Sequence, residues 1–252
     1  KLYSLKPLTK NRYFIYRMLR RGLRYHCPVT VMYRFDVSKT MERIEALRSS
    51  GTKVGLNAYI ASATAKTMVE HPRMNNRLFH GLFGPREATY DGIHCGVLAN
   101  RENAEGEEIL IPIVIRDADK KSVESIHRLI KEYKTASLES LDTYRSFEKI
   151  KKLPRFLITF INFLFRRHPR YSAKNLSTYI VSSVLTPGLA MVGLHNVGNQ
   201  TVFFPTNLED HVALENEKVV SKRMLWMGVC IDHYLVDGMD LQKSAMTLKR
   251  FM

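Results

Sequence analysis

Apolar positions along the chain fall into two kinds of stretch, short runs with a period of two or none and longer ones with a helical repeat. Residues 29–37, Val-Thr-Val-Met-Tyr-Arg-Phe-Asp-Val, are β-branched and aromatic and predict a strand. Ser38 follows as the expected N-cap of a helix through Met41, Ile44 and Leu47, which Ser49-Ser50-Gly51 ends. After Gly55 a second helix is predicted over Leu56–Glu70; its many Ala and Ser residues suit close packing on a sheet, and His71-Pro72 stops it. Strands are expected at 89–90 running into 93–98 and at 109–115, joined by an acidic, solvated turn over 100–108. Asp119 or Ser122 then caps a helix through Val123, Ile126, Leu129 and Ile130. Ahead of all these, residues 11–23 carry a basic, aromatic helical pattern.

Residues 136–172 are the least regular stretch and read as an inserted arm. Inside it, residues 156–165 form a run of Phe, Leu and Ile flanked by Lys151, Lys152, Arg155, Arg166, Arg167 and Arg170. Two readings follow: a helix packed on its own domain or a neighbouring subunit, which is preferred, or a segment lying on an anionic membrane surface. Three strands at 178–184, 190–194 and 201–204 come next, punctuated by Gly188, Gly193 and Gly198. A buried strand over 224–231, containing Trp226, and a helix from 240 to 252 close the chain. Helices and strands mix without strict alternation, so the expected class is α/β or α+β around one mixed sheet.

Composition narrows the function classes. The chain has 252 residues, 45% hydrophobic and 25% charged, as ordinary globular proteins do. Its 39 Lys+Arg against 24 Asp+Glu leave a net charge of +15, which attracts polyanions such as anionic lipid, an acidic carrier protein or a phosphate-rich cofactor. Nucleic acid would rest on charge alone, since no zinc-finger spacing or RNA-binding signature accompanies it. Cys27, Cys95 and Cys230 are odd in number and far apart. They predict neither a metal site nor a disulfide framework and suit a reducing, cytoplasmic setting. The longest apolar run is about half of the roughly twenty residues that a membrane span needs.

The chemistry concentrates at Asp232-His233-Tyr234-Leu235-Val236-Asp237-Gly238, where the last predicted strand leaves the core. An imidazole there can take a proton near neutral pH. Asp237 can hold the turn by pairing with a buried cation, with Arg17 and Arg24 as the proposed partners, and Gly238 lets the backbone turn into the closing helix.

His-x-x-x-Asp-Gly is one of several stretches that together resemble the catalytic domain of the dihydrolipoamide acyltransferases of 2-oxoacid dehydrogenase complexes and, more distantly, chloramphenicol acetyltransferase. The others are residues 57–75, ending Pro72-Arg73-Met74-Asn75; Ile93-His94-Cys95-Gly96-Val97-Leu98; residues 111–121; and Tyr179-Ile180-Val181-Ser182-Ser183. Ser182, 51 positions before His233, matches the family's active-site serine, and Ser183 replaces it if the strand slips by one. The resemblance implies a single-domain mixed sheet backed by helices over 1–252. It also implies a homotrimer or a multiple of trimers, with the histidine of one protomer meeting the serine of its neighbour. Tyr234 stands where the dehydrogenase enzymes carry a basic residue, and residues 136–172 are longer than theirs. No lipoyl domain, subunit-binding module or Ala/Pro-rich linker stands in the sequence, so a stand-alone relative is expected.

The predicted reaction is transfer of an acyl group, acetyl above all, from acyl-CoA to a hydroxyl of a small-molecule or carrier-bound acceptor. His233 acts as general base, and Ser182 matches the oxyanion donor. No metal is required. Competing readings are a non-catalytic scaffold or membrane-surface adaptor, and acylation of a dihydrolipoyl group on a separate protein. His195 and His211 are expected in loop or strand-edge roles, and Cys95 and Cys230 as inert buried thiols.

Overall fold

A computed structural model describes residues 8, 9, 12, 13, 16, 20, 25–81, 84–104, 106, 108–188 and 200–252. Its centre is a six-stranded mixed sheet in the order β1-β8-β7-β6-β4-β5. The strands are β1 (Pro28–Asp36), β4 (Cys95–Glu102), β5 (Glu108–Ile115), β6 (Tyr179–Val181), β7 (Val202–Glu215) and β8 (Lys218–Asp232). β6 runs parallel to both β4 and β7, and the other pairs are antiparallel. A separate hairpin pairs β2 (Arg77–Gly81) with β3 (Gly84–Ala88).

Side-chain alternation gives the sheet two different faces. Phe35, Val97, Ile113, Tyr179, Val181, Phe203, Leu225, Met227, Val229 and Ile231 belong to the main buried core. The helices lie on this face: α1 (Ser38–Ser49), α2 (Leu56–Glu70), α3 (Val123–Thr135) and α7 (Gly238–Phe251). α2 is the central one, and its Ala58, Ala61, Ala63 and Ala65 are buried. Small side chains let its backbone approach the sheet, as the sequence pattern predicts. On the opposite face a smaller cluster gathers Val202, Phe204 and Cys230 against Met32 and Ile180. Gly228 belongs to that face, where a Cβ would stand 2.0 Å from the Phe204 ring, so only glycine lets this ring lie flat on the strand.

Several boundaries differ from the sequence reading. The segment 136–172 is regular: a 3₁₀ turn (Leu138–Ser140), then α4 (Asp142–Lys151), α5 (Arg155–Arg167) and α6 (Pro169–Asn175). α5 buries Ile158 and packs against β2, in keeping with the preferred reading of a helix on its own domain. Arg77 on β2 is fully buried, donating to Ser172 Oγ at 2.6 Å and to the Ser177 carbonyl, and burial lowers its pKa to about 10. Arg116 donates to the carbonyls of Ala173, Lys174 and Leu176, closing the end of α6. β7 and β8 extend far beyond the predicted apolar runs, because their outer halves alternate polar and apolar residues on a solvated hairpin.

Ser38 does not cap α1; its hydroxyl donates to Asp36 and accepts the Arg223 N–H, tying the helix start to β8. Ser122, rather than Asp119, caps α3. The predicted strand at 190–194, His195 and most of the helix at 11–23, Arg17 included, lie outside the described residues, as does Arg24.

Candidate active site

β8 ends at Asp232, and the next six residues form a turn fastened at several points. The backbone N–H groups of Leu235 and Val236 both donate to the Asp232 carbonyl, at 3.0 and 3.1 Å. The Asp232 side chain is buried and accepts from the N–H groups of Cys27 at 3.1 Å and Tyr234 at 3.3 Å. Its second oxygen lies 2.6 Å from His26 Nδ1. The His233 N–H donates to the Cys27 carbonyl at 2.8 Å, so the segment ahead of β1 grips the turn from both sides. Burial raises the Asp232 pKa, but the hydrogen bonds from His26 and the Cys27 N–H outweigh it and leave the carboxyl below its usual value. His26 meets His80 edge-on with ring centres 5.9 Å apart, and His80 Nε2 lies 3.0 Å from the Tyr25 carbonyl.

The tautomer of His233 follows from its partner. Nδ1 lies 2.9 Å from the Val236 carbonyl oxygen, which can only accept. Nδ1 therefore carries the proton, and in the neutral ring Nε2 presents a lone pair. The ring is exposed on the single chain. That is the arrangement a general base requires.

Arg17 and Arg24, the partners expected for Asp237, lie outside the described residues, and within them Asp237 has a second role. It does not enter a buried ion pair among the described residues; it is the N-cap of α7. Its carboxylate accepts the Asp240 N–H at 3.0 Å, and Asp240 returns a bond to the Asp237 N–H at 3.5 Å, a reciprocal capping box. The Asp240 N–H is the main reason the Asp237 pKa is lowered. Asp240 also pairs with Arg73 at 3.1 Å, which brings the Pro72-Arg73-Met74-Asn75 turn against the start of α7. The structure thus joins two of the segments that carry the family resemblance. Gly238 opens α7, and a Cβ there would meet nothing within 4 Å among the described residues. The buried anchor of the turn is Asp232, and its partner His26, 206 positions away, is invisible to motif spacing.

Ser182 sits just past β6, half-buried, its N–H donating to the Phe203 carbonyl at 2.8 Å. Alternation from Tyr179 and Val181 turns it to the face opposite the main helices. Register places it level with Phe204 and thus with Gly228, two strands across from β8 and five residues above His233. Strand spacing and rise then separate Ser182 from His233 of the same chain by roughly 18 Å. One protomer does not bring them together.

Other singled-out residues lie apart from this turn. His211 is on the outer half of β7, opposite Lys222. Cys95 and Cys230 are fully buried in strands, and burial pushes the Cys95 thiol up to about 12. Among the described residues no group of His, Cys, Asp or Glu is placed to hold a metal ion. An apolar groove of about 390 Å³ between β1 and α7 is lined by Val31, Tyr33, Leu241, Met246, Lys249 and, beside the His233 turn, Gly238.

A mixed sheet with helices on one face, closing on a His-x-x-x-Asp-Gly turn, has the fold of the chloramphenicol acetyltransferase-like acyltransferases. The chain belongs to the family described as 2-oxoacid dehydrogenases acyltransferase (catalytic domain), whose model matches residues 2–146, more than half of the sequence. That match ends before Ser182 and His233. A probable dihydrolipoamide acetyltransferase from Listeria monocytogenes superposes with a TM-score of 0.72 at 16% identity, over 99% of this chain and 94% of that one. The dihydrolipoamide acetyltransferase of Azotobacter vinelandii gives 0.70 at 16% identity, over 98% and 90%. A chloramphenicol acetyltransferase gives 0.55 at 11% identity, over 100% and 98%. No curated protein matches the sequence.

Proposed function

We propose that this protein transfers an acyl group from acyl-CoA, acetyl-CoA above all, to a hydroxyl of a small-molecule or carrier-bound acceptor. The observation that carries this reading is the His233 tautomer, with Nδ1–H held by the Val236 carbonyl and Nε2 open to the acceptor. Nε2 takes the acceptor's proton as its oxygen attacks the thioester carbonyl carbon. The carbonyl oxygen becomes an oxyanion, the C–S bond breaks as the oxyanion collapses, and the CoA sulfur leaves with the proton from the imidazolium. No acyl-enzyme forms, and proximity of the two substrates supplies much of the rate.

Ser182 is the proposed donor to the oxyanion. Since it lies far from His233 of its own chain, it acts on the histidine of a neighbouring protomer in a trimer. The Azotobacter enzyme is described by a serine, a histidine and an asparagine in its catalytic mechanism, the histidine and asparagine four positions apart and the serine 52 before the histidine. Here Asp237 is four positions after His233, and Ser182 is 51 before it. The groove between β1 and α7 has the apolar walls that a pantetheine arm needs, with Lys249 to meet a phosphate. Residues 136–172 are proposed as an insertion in this single catalytic domain.

A second reading, a dihydrolipoyl thiol as acceptor, is favoured by the names of the Listeria and Azotobacter proteins. CoA release from acetyl-CoA, followed with a thiol reagent across a panel of hydroxyl acceptors, tests the first reading. The second is tested by thioester formation on dihydrolipoamide, followed at its own absorbance. Release in neither arm, or equal release by His233→Ala, removes the enzymatic reading.

A further inference from the structure

α5 has two apolar faces, and among the described residues only one is buried. Ile158 is buried toward β2. Phe156, Phe160, Phe163 and Arg167 follow one another at i, i+4, i+7 and i+11, a single stripe about half a turn away from Ile158. Phe156 is 71% and Phe160 54% exposed, and the Phe160 and Phe163 rings stack at 6.4 Å. Arg167 lies over the Phe163 ring at 4.7 Å, extending the stripe with a cation. On the adjoining α6, Tyr171 is 45% exposed, with Arg170 and Lys174 exposed beside it in sequence. Helices this rich in surface Phe are rare in water, because each ring holds apolar area out of any core.

Charge identifies the partner. From residue 149 to residue 208 the sequence contains no Asp or Glu, while 149–174 carries eight Lys and Arg. The whole chain is +15. Another copy of the chain would bring like charges together at this face. An anionic bilayer surface complements both features, accepting Phe rings at the acyl boundary while its headgroups neutralise the flanking cations. No described helix is long and apolar enough to cross a membrane, so the geometry is one of lying on the surface. The anchoring suits that orientation, since Ile158, the Arg77–Ser172 bond and the Arg116 bonds to the end of α6 hold the inner side of the helix pair to the sheet.

We propose that the α5–α6 face docks the protein on an anionic lipid surface through Phe156 and Phe160, with Arg167, Arg170 and Lys174 meeting the headgroups. The test is cosedimentation of the full chain with vesicles of phosphatidylglycerol and phosphatidylcholine, against vesicles of phosphatidylcholine alone. The expected result is binding to the anionic vesicles, at least tenfold weaker binding to neutral ones, and a several-fold loss between 0.1 and 0.5 M salt, over which the screening length falls about twofold. Phe156→Ser/Phe160→Ser, at exposed positions, should keep the circular dichroism spectrum and weaken anionic-vesicle binding by about tenfold or more. Absence of binding to anionic vesicles, equal binding by the double variant, or equal binding to neutral lipid overturns the proposal. So does a change of oligomeric mass in the double variant, which would make this face a contact between copies.

Discussion

The His233 turn and the Ser182 strand end are built in opposite ways. Around His233 the chain spends a buried carboxylate, two backbone N–H donors to it, the His26 ring and the Cys27 carbonyl on fixing one short turn. Ser182 follows a three-residue strand and is held by its N–H bond to the Phe203 carbonyl, on the face opposite the main helices. A base and an oxyanion donor must both be preorganised to act. On the proposed mechanism, the more loosely held Ser182 is the half of the site that a neighbouring protomer must complete.

Substitutions sharpen that contrast in order of size. His233→Ala should lower kcat about 10³–10⁴-fold with the fold intact, measured by CoA release. Ser182→Ala should cost about 10²–10³-fold, the usual effect of losing one oxyanion donor. Asp232→Asn keeps the shape but weakens the bond to His26, and a misplaced imidazole should cost about 10²-fold in kcat with KM little changed.

Asp232 also predicts a pH dependence. Its folded pKa lies below the ordinary carboxyl value of 3.8, so its contribution to stability is present above that value and is lost as pH falls through the folded one. The difference in Tm between wild type and Asp232→Asn should therefore hold at neutral pH and close in acid. The smallest effect lies at the hairpin tip. Asn216 and Glu217 join β7 to β8 with φ of 47° and 62°, a two-residue turn that favours Asn-Gly. Glu217→Gly should raise Tm by about 2 °C without changing activity.

Much of this architecture is legible in the sequence where local pattern and tertiary packing agree. α2 has the predicted bounds because Gly55 and His71-Pro72 punctuate an Ala-rich repeat that the sheet then buries on nearly every side. The β2–β3 hairpin is not legible, since Arg77, Arg86 and Glu87 break any apolar alternation and the buried Arg77 is paid for by Ser172 and Ser177 far along the chain. Residues 142–175 form three helices; α4 and α5 carry an amphipathic repeat, but no side-chain cap marks where either begins, so the stretch reads as irregular. At the site, the histidine is readable from its motif, but the anchor is not. Spacing points to Asp237 and says nothing of Asp232, because only the tertiary arrangement brings His26 beside that carboxylate.

Mixing two inactive variants addresses the shared site most directly. His233→Ala and Ser182→Ala chains, carrying different tags and coexpressed, should assemble into mixed trimers in which a Ser182→Ala protomer supplies its histidine to the serine of a His233→Ala neighbour. With random assembly roughly a quarter of the sites are complete, so activity should return to about a quarter of wild type. Activity no higher than the average of the two variants alone would place the base and the donor in one chain, or outside catalysis altogether.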